Sequence, residues 1–371
     1  MSLDIHAHAV PEELLEALRT GGARFGARLV RDEHGGEAID LNGRFRTRPV
    51  MVGLVDLPAR LAAMDRAGVR RQAVSNWMDL SAYEMDAGEA ERFIRLQNDT
   101  LANLVKMHPD RFVGLASVPL QDAQRAAAEL ERAMRQLDFR GVEIGTNVAG
   151  WNLDDPALEP FWDAAESLGA LVFIHPFNTL DTVTARLRPY YFSNLIGNPL
   201  DTTIAAGSLI FGGVLQRHAG LKICLAHGGG HLPYQFGRMQ HGFTVRPEAR
   251  ARTARHPLEF FKLLYFDSLT HSGASLEFLV KLVGAEHVLL GSDYPFDMAE
   301  PEPVKAVGSL PGLSDHDREA ILFKNAERLL GLNEHGYGIA PHPSSFIGAK
   351  RHAHHRPERH GRQFDQEPAL H

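Results

Sequence analysis

Five residues of this sequence are of types that bind metal ions or move protons, and each stands at or near the end of a short apolar run. The first two lie in Asp4-Ile5-His6-Ala7-His8. Successive strand side chains point to opposite faces, so His6 and His8 share one face, one above the other. Two imidazoles so placed reach one ion, and imidazole suits zinc and its neighbours in the first transition row. Taken alone, the pair serves equally well as a structural one. His175 closes the run Val172-Phe173-Ile174-His175, where Pro176 stops strand pairing. A core histidine bonded to backbone reads the same way. Asp293 follows Val288-Leu289-Leu290-Gly291-Ser292. A carboxylate at the end of a buried strand is costly unless a metal or an arginine pairs with it. Three imidazoles and one carboxylate make a usable zinc set with room for water.

The fifth residue is His227, in Cys224-Leu225-Ala226-His227-Gly228-Gly229-Gly230-His231. With four ligands already supplied, His227 is free to transfer protons near neutral pH. The glycines permit a sharp turn and close backbone approach. His231 opens the next helix, where it caps the helix or lines the mouth.

These residues need a scaffold that brings distant strand ends together. Strands are predicted near Leu3–His8, Gln72–Trp77, Phe112–Val118, Gly141–Thr146, Leu171–His175, Lys222–His227, Leu263–Asp267 and Val288–Asp293. They are short and almost continuously apolar, as parallel strands covered on both faces are. Amphipathic stretches alternate with them. Ala126, Leu130, Ala133, Met134 and Leu137 recur at helical spacing behind a candidate N-cap, Asp122, and Leu276, Leu279, Val280 and Val283 repeat the pattern. The alternation fits a closed barrel or a doubly wound sheet. Reactive residues at the carboxyl ends of several separate strands favour the (β/α)8 TIM barrel. The barrel domain is expected over 1–334, with a small insertion after strand 1, at about 21–51, folded over the mouth. Residues 335–371, rich in His, Arg and Pro, form an extended C-terminal tail expected to be disordered, although its histidines are potential metal ligands.

Composition narrows the class further. With 44% hydrophobic and 23% charged residues, 371 residues fit one large α/β domain. Cys224 is the only cysteine, which rules out an intrachain disulfide and fits a reducing compartment. The net charge of -7, with no basic stripe in the first 330 residues, argues against nucleic acid as a partner. There is no secretory signal and no apolar run of about 18 residues, so the expectation is a cytoplasmic protein without a membrane partner.

These residues closely resemble the amidohydrolase superfamily, within it the metal-dependent decarboxylases related to aminocarboxymuconate semialdehyde decarboxylase. The likeness runs from Leu3 to about Leu332. It rests on Asp4–His8, Arg48-Pro49, Met64-Asp65 with Gly68-Val69, Ser117–Gln121, His175-Pro176, His227–Gly230 with Gly237-Arg238, and Gly291–Phe296. The resemblance implies metal ligation by His6, His8, His175 and Asp293, with His227 acting on water at the ion. It implies that Arg48 holds a substrate carboxylate and that Arg238 reaches across a homodimer interface into the neighbouring site. Guanidinium suits both tasks through its planar fork, while surface ion pairs explain either arginine as readily. Phe177 and Phe296 look like walls for a flat substrate, and core packing explains them equally. The family's two-metal members carry a lysine on strand four. Here the segment reads Gly141-Val142-Glu143-Ile144-Gly145-Thr146, which favours one metal. The segment Pro189–Asn198 departs from the family, which would place an aromatic near Asn194.

The expected activity is a cofactor-free, non-oxidative decarboxylation of a carboxylated aromatic or muconate-type acid, with one divalent ion, zinc or else manganese, and no organic cofactor. Such chemistry belongs to aromatic compound catabolism. The same residues would also serve a hydrolase of a lactone, ester or amide, and a non-catalytic metal-binding barrel is a third class.

Overall fold

The computed structural model describes residues 1–32, 34–177 and 185–332. The expected tail at 335–371 lies outside the described residues. Eight parallel strands form the frame: β1 (Leu3–Ala9), β2 (Arg71–Asn76), β3 (Phe112–Gly114), β4 (Gly141–Gly145), β5 (Leu171–His175), β6 (Lys222–Leu225), β7 (Leu264–Asp267) and β8 (Val288–Leu289). Neighbours pair in chain order from β1 to β3 and from β4 to β8. A bridge between Ala116 and Val142 joins the two sheets. The ring closes between β8 and β1, where Ile5 N donates to Leu290 O at 2.8 Å and His8 N to Tyr294 O at 2.9 Å. The barrel is therefore complete.

Strand β5 shows why these runs are apolar throughout. Leu171 and Phe173 join an inner cluster with Leu3, Ile5, Cys224 and Leu289, while Val172 and Ile174 join the outer layer with Leu130, Phe161 and Leu209. Both faces are dry, so neither can carry a polar stripe. Phe323, Ala326, Leu329 and Leu330 belong to the inner cluster as well, and Lys222 Nζ donates to Leu329 O at 3.2 Å. These late residues close the end of the barrel where the strands begin, leaving the carboxyl ends for chemistry.

The outer helices start at side-chain caps. Asp122 accepts from Arg125 N ahead of Ala123–Gln136, and Ser272 accepts from Ser275 N ahead of Gly273–Val283. Each satisfies a backbone N–H that the helix cannot. Residues 28–46 form a three-stranded antiparallel sheet of Arg28–Arg31, Glu37–Leu41 and Phe45–Arg46. Its Ile39 and Leu41 pack with Leu14, Leu18 and Ile94. The sheet follows a helix, Glu12–Gly21, and periodicity missed it because its strands have only four, five and two residues.

Three strands end two or more residues earlier than expected. β3 stops at Gly114, β6 at Leu225 and β8 at Leu289. Beyond β6 and β8 the reason is local: His227 (φ 55°) and Asp293 (φ 64°) take left-handed backbone that no strand contains. The reactive residues there stand on loops just past the strands.

Candidate active site

His6 and His8 rise from β1, His175 is the last residue of β5, and His227 and Asp293 follow β6 and β8. A register slip between Asp4 and Ala7 aims the β1 pair. Ile5 belongs to the inner cluster with Phe173, yet the next residue, His6, also meets the Phe173 ring at 4.8 Å. A bulge re-aims side chains in this way. Left-handed backbone at His227 and Asp293 is unfavourable for residues with a Cβ, and such strain gathers at functional sites.

The five side chains converge. Asp293 Oδ1 lies 3.1 Å from His6 Nε2, 3.2 Å from His8 Nε2 and 3.9 Å from His175 Nε2, while Oδ2 lies 3.5 Å from His227 Nε2. His6 and His8 are fully buried, and His175 and Asp293 nearly so. His6 Nε2, His8 Nε2, both His175 ring nitrogens and Asp293 Oδ1 are buried without a hydrogen-bond partner. Buried polar atoms are rarely left so, and four of them around one point, one from each residue, call for a shared partner. Imidazole nitrogens with a carboxylate oxygen are the donor set of a divalent metal site. Ligand atoms of His6, His175, His227 and Asp293 all lie within 4.8 Å of one another, as do those of His8, Glu143 and His175.

A dry polar network holds this cluster. Asp4, fully buried, accepts from His6 N at 3.1 Å, Ser292 N at 3.0 Å, Ser292 Oγ at 2.6 Å and Gln72 Nε2 at 3.1 Å. It thereby pins β1 to the loop carrying Asp293. Buried Arg60 donates to the His8 carbonyl and to Gln72 Oε1, and stacks on Tyr294 with its guanidinium 4.7 Å from the ring. Asp267 Oδ2 lies 2.7 Å from His6 Nδ1, while its Oδ1 accepts from Gly228 N and Leu269 N. A Cβ on Gly291 would come 2.7 Å from Asp267 Cβ, so the close approach needs glycine there. His8 Nδ1 has Ser75 Oγ at 3.3 Å and Glu143 Oε2 at 3.6 Å. Carboxylates behind ligand histidines fix the tautomer and turn the free nitrogen toward a metal.

The charges are strongly coupled. Burial works against the His6 cation, but the Asp293 and Asp267 carboxylates outweigh it and hold its pKa well above the usual value. The same opposition, with Glu143 and Asp293 prevailing, raises His8 to about 9. Burial, then the positive charge of His8 and His6, pushes His175 well below. Asp293 is held well below the carboxylate range: burial opposes this, and His6, His227 and His8 overcome it.

The cluster opens into a cavity of about 360 Å³ whose lining includes His175, His227, Asp293, Arg48, Phe177, Asn194 and Phe296. That is near the lower end of small-molecule sites, roughly 300–1,000 Å³. The Arg48 guanidinium lies 4.9 Å from the Phe296 ring and 5.5 Å from the Trp77 ring, and Phe296 lies 5.2 Å from the His8 ring. The aromatic from the divergent segment is Tyr191, three residues before Asn194. Asp79 also lines the cavity. Arg238 is not brought there. It is exposed on the helix Leu232–Val245, with no ion pair among the described residues. A more apolar groove of about 610 Å³ adjoins the cavity and is lined by both Asn194 and His227, with His231, Tyr234 and Phe278 along it. His231 makes no capping hydrogen bond.

Reading residues alone missed Asp267, Glu143, Arg60 and Asp79. Asp267 carried a usable signal, since Leu264-Tyr265-Phe266-Asp267 ends in a carboxylate as the Asp293 run does.

Known proteins resemble the chain over most of its length. The amidohydrolase family model matches residues 3–332. The 2-amino-3-carboxymuconate-6-semialdehyde decarboxylase of Dictyostelium discoideum is 35% identical over 340 residues, spanning 91% of this chain and 93% of the relative. The crystal structure of 5-carboxyvanillate decarboxylase from Sphingomonas paucimobilis superposes with a TM-score of 0.75 at 25% identity, covering 90% of this chain and 99% of that one. A dihydroxybenzoic acid decarboxylase from Polaromonas, solved with bound manganese, shares the fold at a TM-score of 0.72 and 24% identity, covering 89% and 96%. With its closed barrel and its ring of imidazoles about one carboxylate, the chain belongs to the amidohydrolase family.

Proposed function

We propose that this protein is a metal-dependent, non-oxidative carboxy-lyase acting on a carboxylated aromatic or muconate-type acid. One observation carries the reading: the cluster of unpartnered His and Asp atoms meets, through His175 and Asp293, a small cavity that also holds a cationic guanidinium and aromatic walls. The decarboxylases of aminocarboxymuconate semialdehyde and carboxyvanillate named above support it.

His6, His8, His175 and Asp293 would hold one divalent ion, zinc by its fit to imidazole-rich sets. When bound, the cation draws electron density from the acid's oxygens and stabilises the charge left as carbon dioxide departs. Arg48, propped by Trp77 and Phe296, holds a carboxylate by charge-assisted hydrogen bonds. Phe177 and Phe296 keep the unsaturated body flat and exclude water, and Asn194 offers an amide at the rim. The carbon–carbon bond breaks, its electron pair stays on the ring or chain carbon, and that carbon takes a proton. His227 Nε2, 3.5 Å from Asp293 Oδ2, is placed to deliver it.

A homodimer completes the reading. Exposed Leu195, Tyr234 and Phe278 offer apolar surface near the mouth, and Arg238 projects from the same helix as Tyr234, free to serve a neighbouring copy. Among the described residues no helix is long and apolar enough to cross a membrane, and a cytoplasmic setting suits the lone buried thiol of Cys224.

The test is carbon dioxide release from a panel of aromatic and muconate-type acids by the zinc- or manganese-loaded protein, with loss on chelation. Release that survives complete metal removal, or turnover confined to lactones and esters, overturns the proposal.

A further inference from the structure

The cavity carries a carboxylate that the reaction does not use. Asp79 lies in the turn Met78–Leu80, just past β2, two residues beyond the Trp77 ring that supports Arg48. It lines the same cavity as Arg48, Phe177 and Phe296. Its side chain is largely buried, yet it makes no hydrogen bond and no ion pair among the described residues. Arg48 forms no ion pair with it. No guanidinium nitrogen lies within the 4.0 Å of an ion pair, and Arg48 is instead held over the Trp77 and Phe296 rings. The cavity's other carboxylate outside the cluster, Asp297, is exposed to water and lacks that character.

A carboxylate cut off from water by a bound ligand is unfavourable without a donor, and a ligand that supplies an N–H or O–H relieves it. A ligand without a donor must leave it dry and unpaired. Such a site rejects the analogue lacking the group far more strongly than an apolar pocket rejects an added one. Burial raises the Asp79 carboxyl to about 6, with the charges of Arg48 and His8 opposing, consistent with an acceptor short of donors.

We propose that Asp79 is a specificity-determining residue that selects acids bearing a hydroxyl or amino donor on the unsaturated body, while Arg48 takes the carboxylate. The inference rests on the carboxy-lyase reading and assigns Asp79 a part in it. Opposite charges that line one small cavity without closing on each other are the pattern expected for a ligand carrying both complements.

Binding is measured by calorimetry on the metal-loaded full chain, with benzoate against its ortho and meta hydroxy and amino derivatives. The methoxy and dimethylamino analogues, which keep the bulk and lose the donor, accompany them. Wild type should bind at least one donor-bearing acid tenfold or more tighter than its methylated counterpart, and the hydroxy and amino series show which donor is preferred. In Asp79→Leu that ratio should fall to about one. Asp79→Asn retains an acceptor oxygen and should keep part of it, which a merely structural role would not reproduce. The selectivity claim is overturned if wild type has no donor preference, or if both variants keep the wild-type ratio. Carbon dioxide release with an unaltered ratio in the variants would sink this inference and leave the carboxy-lyase reading standing. An Asp79-dependent ratio without release from any acid would do the reverse.

Discussion

His6 and Asp267 are joined through Nδ1 and Oδ2 at 2.7 Å, both side chains fully buried, so the other His6 nitrogen is aimed at Asp293. Asp267 thus sets the direction and tautomer of a ligand without reaching the metal itself. Replacing it with asparagine should lower metal affinity roughly 10–100-fold. Competition with a fluorescent chelator measures this, and unchanged affinity would remove Asp267 from the supporting shell.

His8 and His227 should separate by phenotype. His8→Ala is expected to lose the ion, measured as metal per chain after dialysis. His227→Ala should keep it while kcat falls roughly 10²–10⁴-fold, the usual worth of a positioned proton-transfer group. Because ligand atoms of His227 also lie within 4.8 Å of those of His6, His175 and Asp293, the opposite outcome would identify His227 as the ligand.

Acid should work against metal and in favour of the metal-free fold. Burial opposes the His8 cation, but Glu143 and Asp293 raise its pKa to about 9, and His6 is also raised. A protonated imidazole cannot ligate, so metal affinity should rise with pH toward about 9 and proton release should accompany uptake. Without metal the sign reverses. A raised folded-state pKa gives stability that is fully present below the unfolded value and is lost as pH rises through the folded one. The His8 contribution should therefore fade between about pH 6.5 and 9. Melting curves of metal-free wild type and His8→Gln across that range test it: the difference between them should shrink as pH rises.

Arg60 should matter for stability although it lies away from the cavity. Its guanidinium holds the His8 carbonyl and Gln72 inside the protein. Arg60→Met leaves those acceptors unpaired and should cost about 3 kcal/mol in urea unfolding. A loss under about 0.5 kcal/mol would mean that the network tolerates the gap.

The frame was legible because each barrel strand is dry on both faces, and His175 or Asp293 breaks an otherwise apolar run. The small sheet at 28–46 was not, since its strands are too short to display a period. The supporting residues were hidden for a different reason. Glu143 sits within an apolar strand, and Arg60 shares a helix face with Met64, so only packing reveals their partners. Asp79 stands in a turn whose composition says nothing about the cavity it meets.

The barrel's seam lies where β8 meets β1, with His6 and His8 on one side of it and Asp293 on the other. During synthesis His6 leaves the ribosome long before Asp293, and until β8 docks the Nε2 atoms of the two β1 imidazoles lack the Asp293 carboxylate. The full set of proposed ligands therefore forms only once the last strand has met the first.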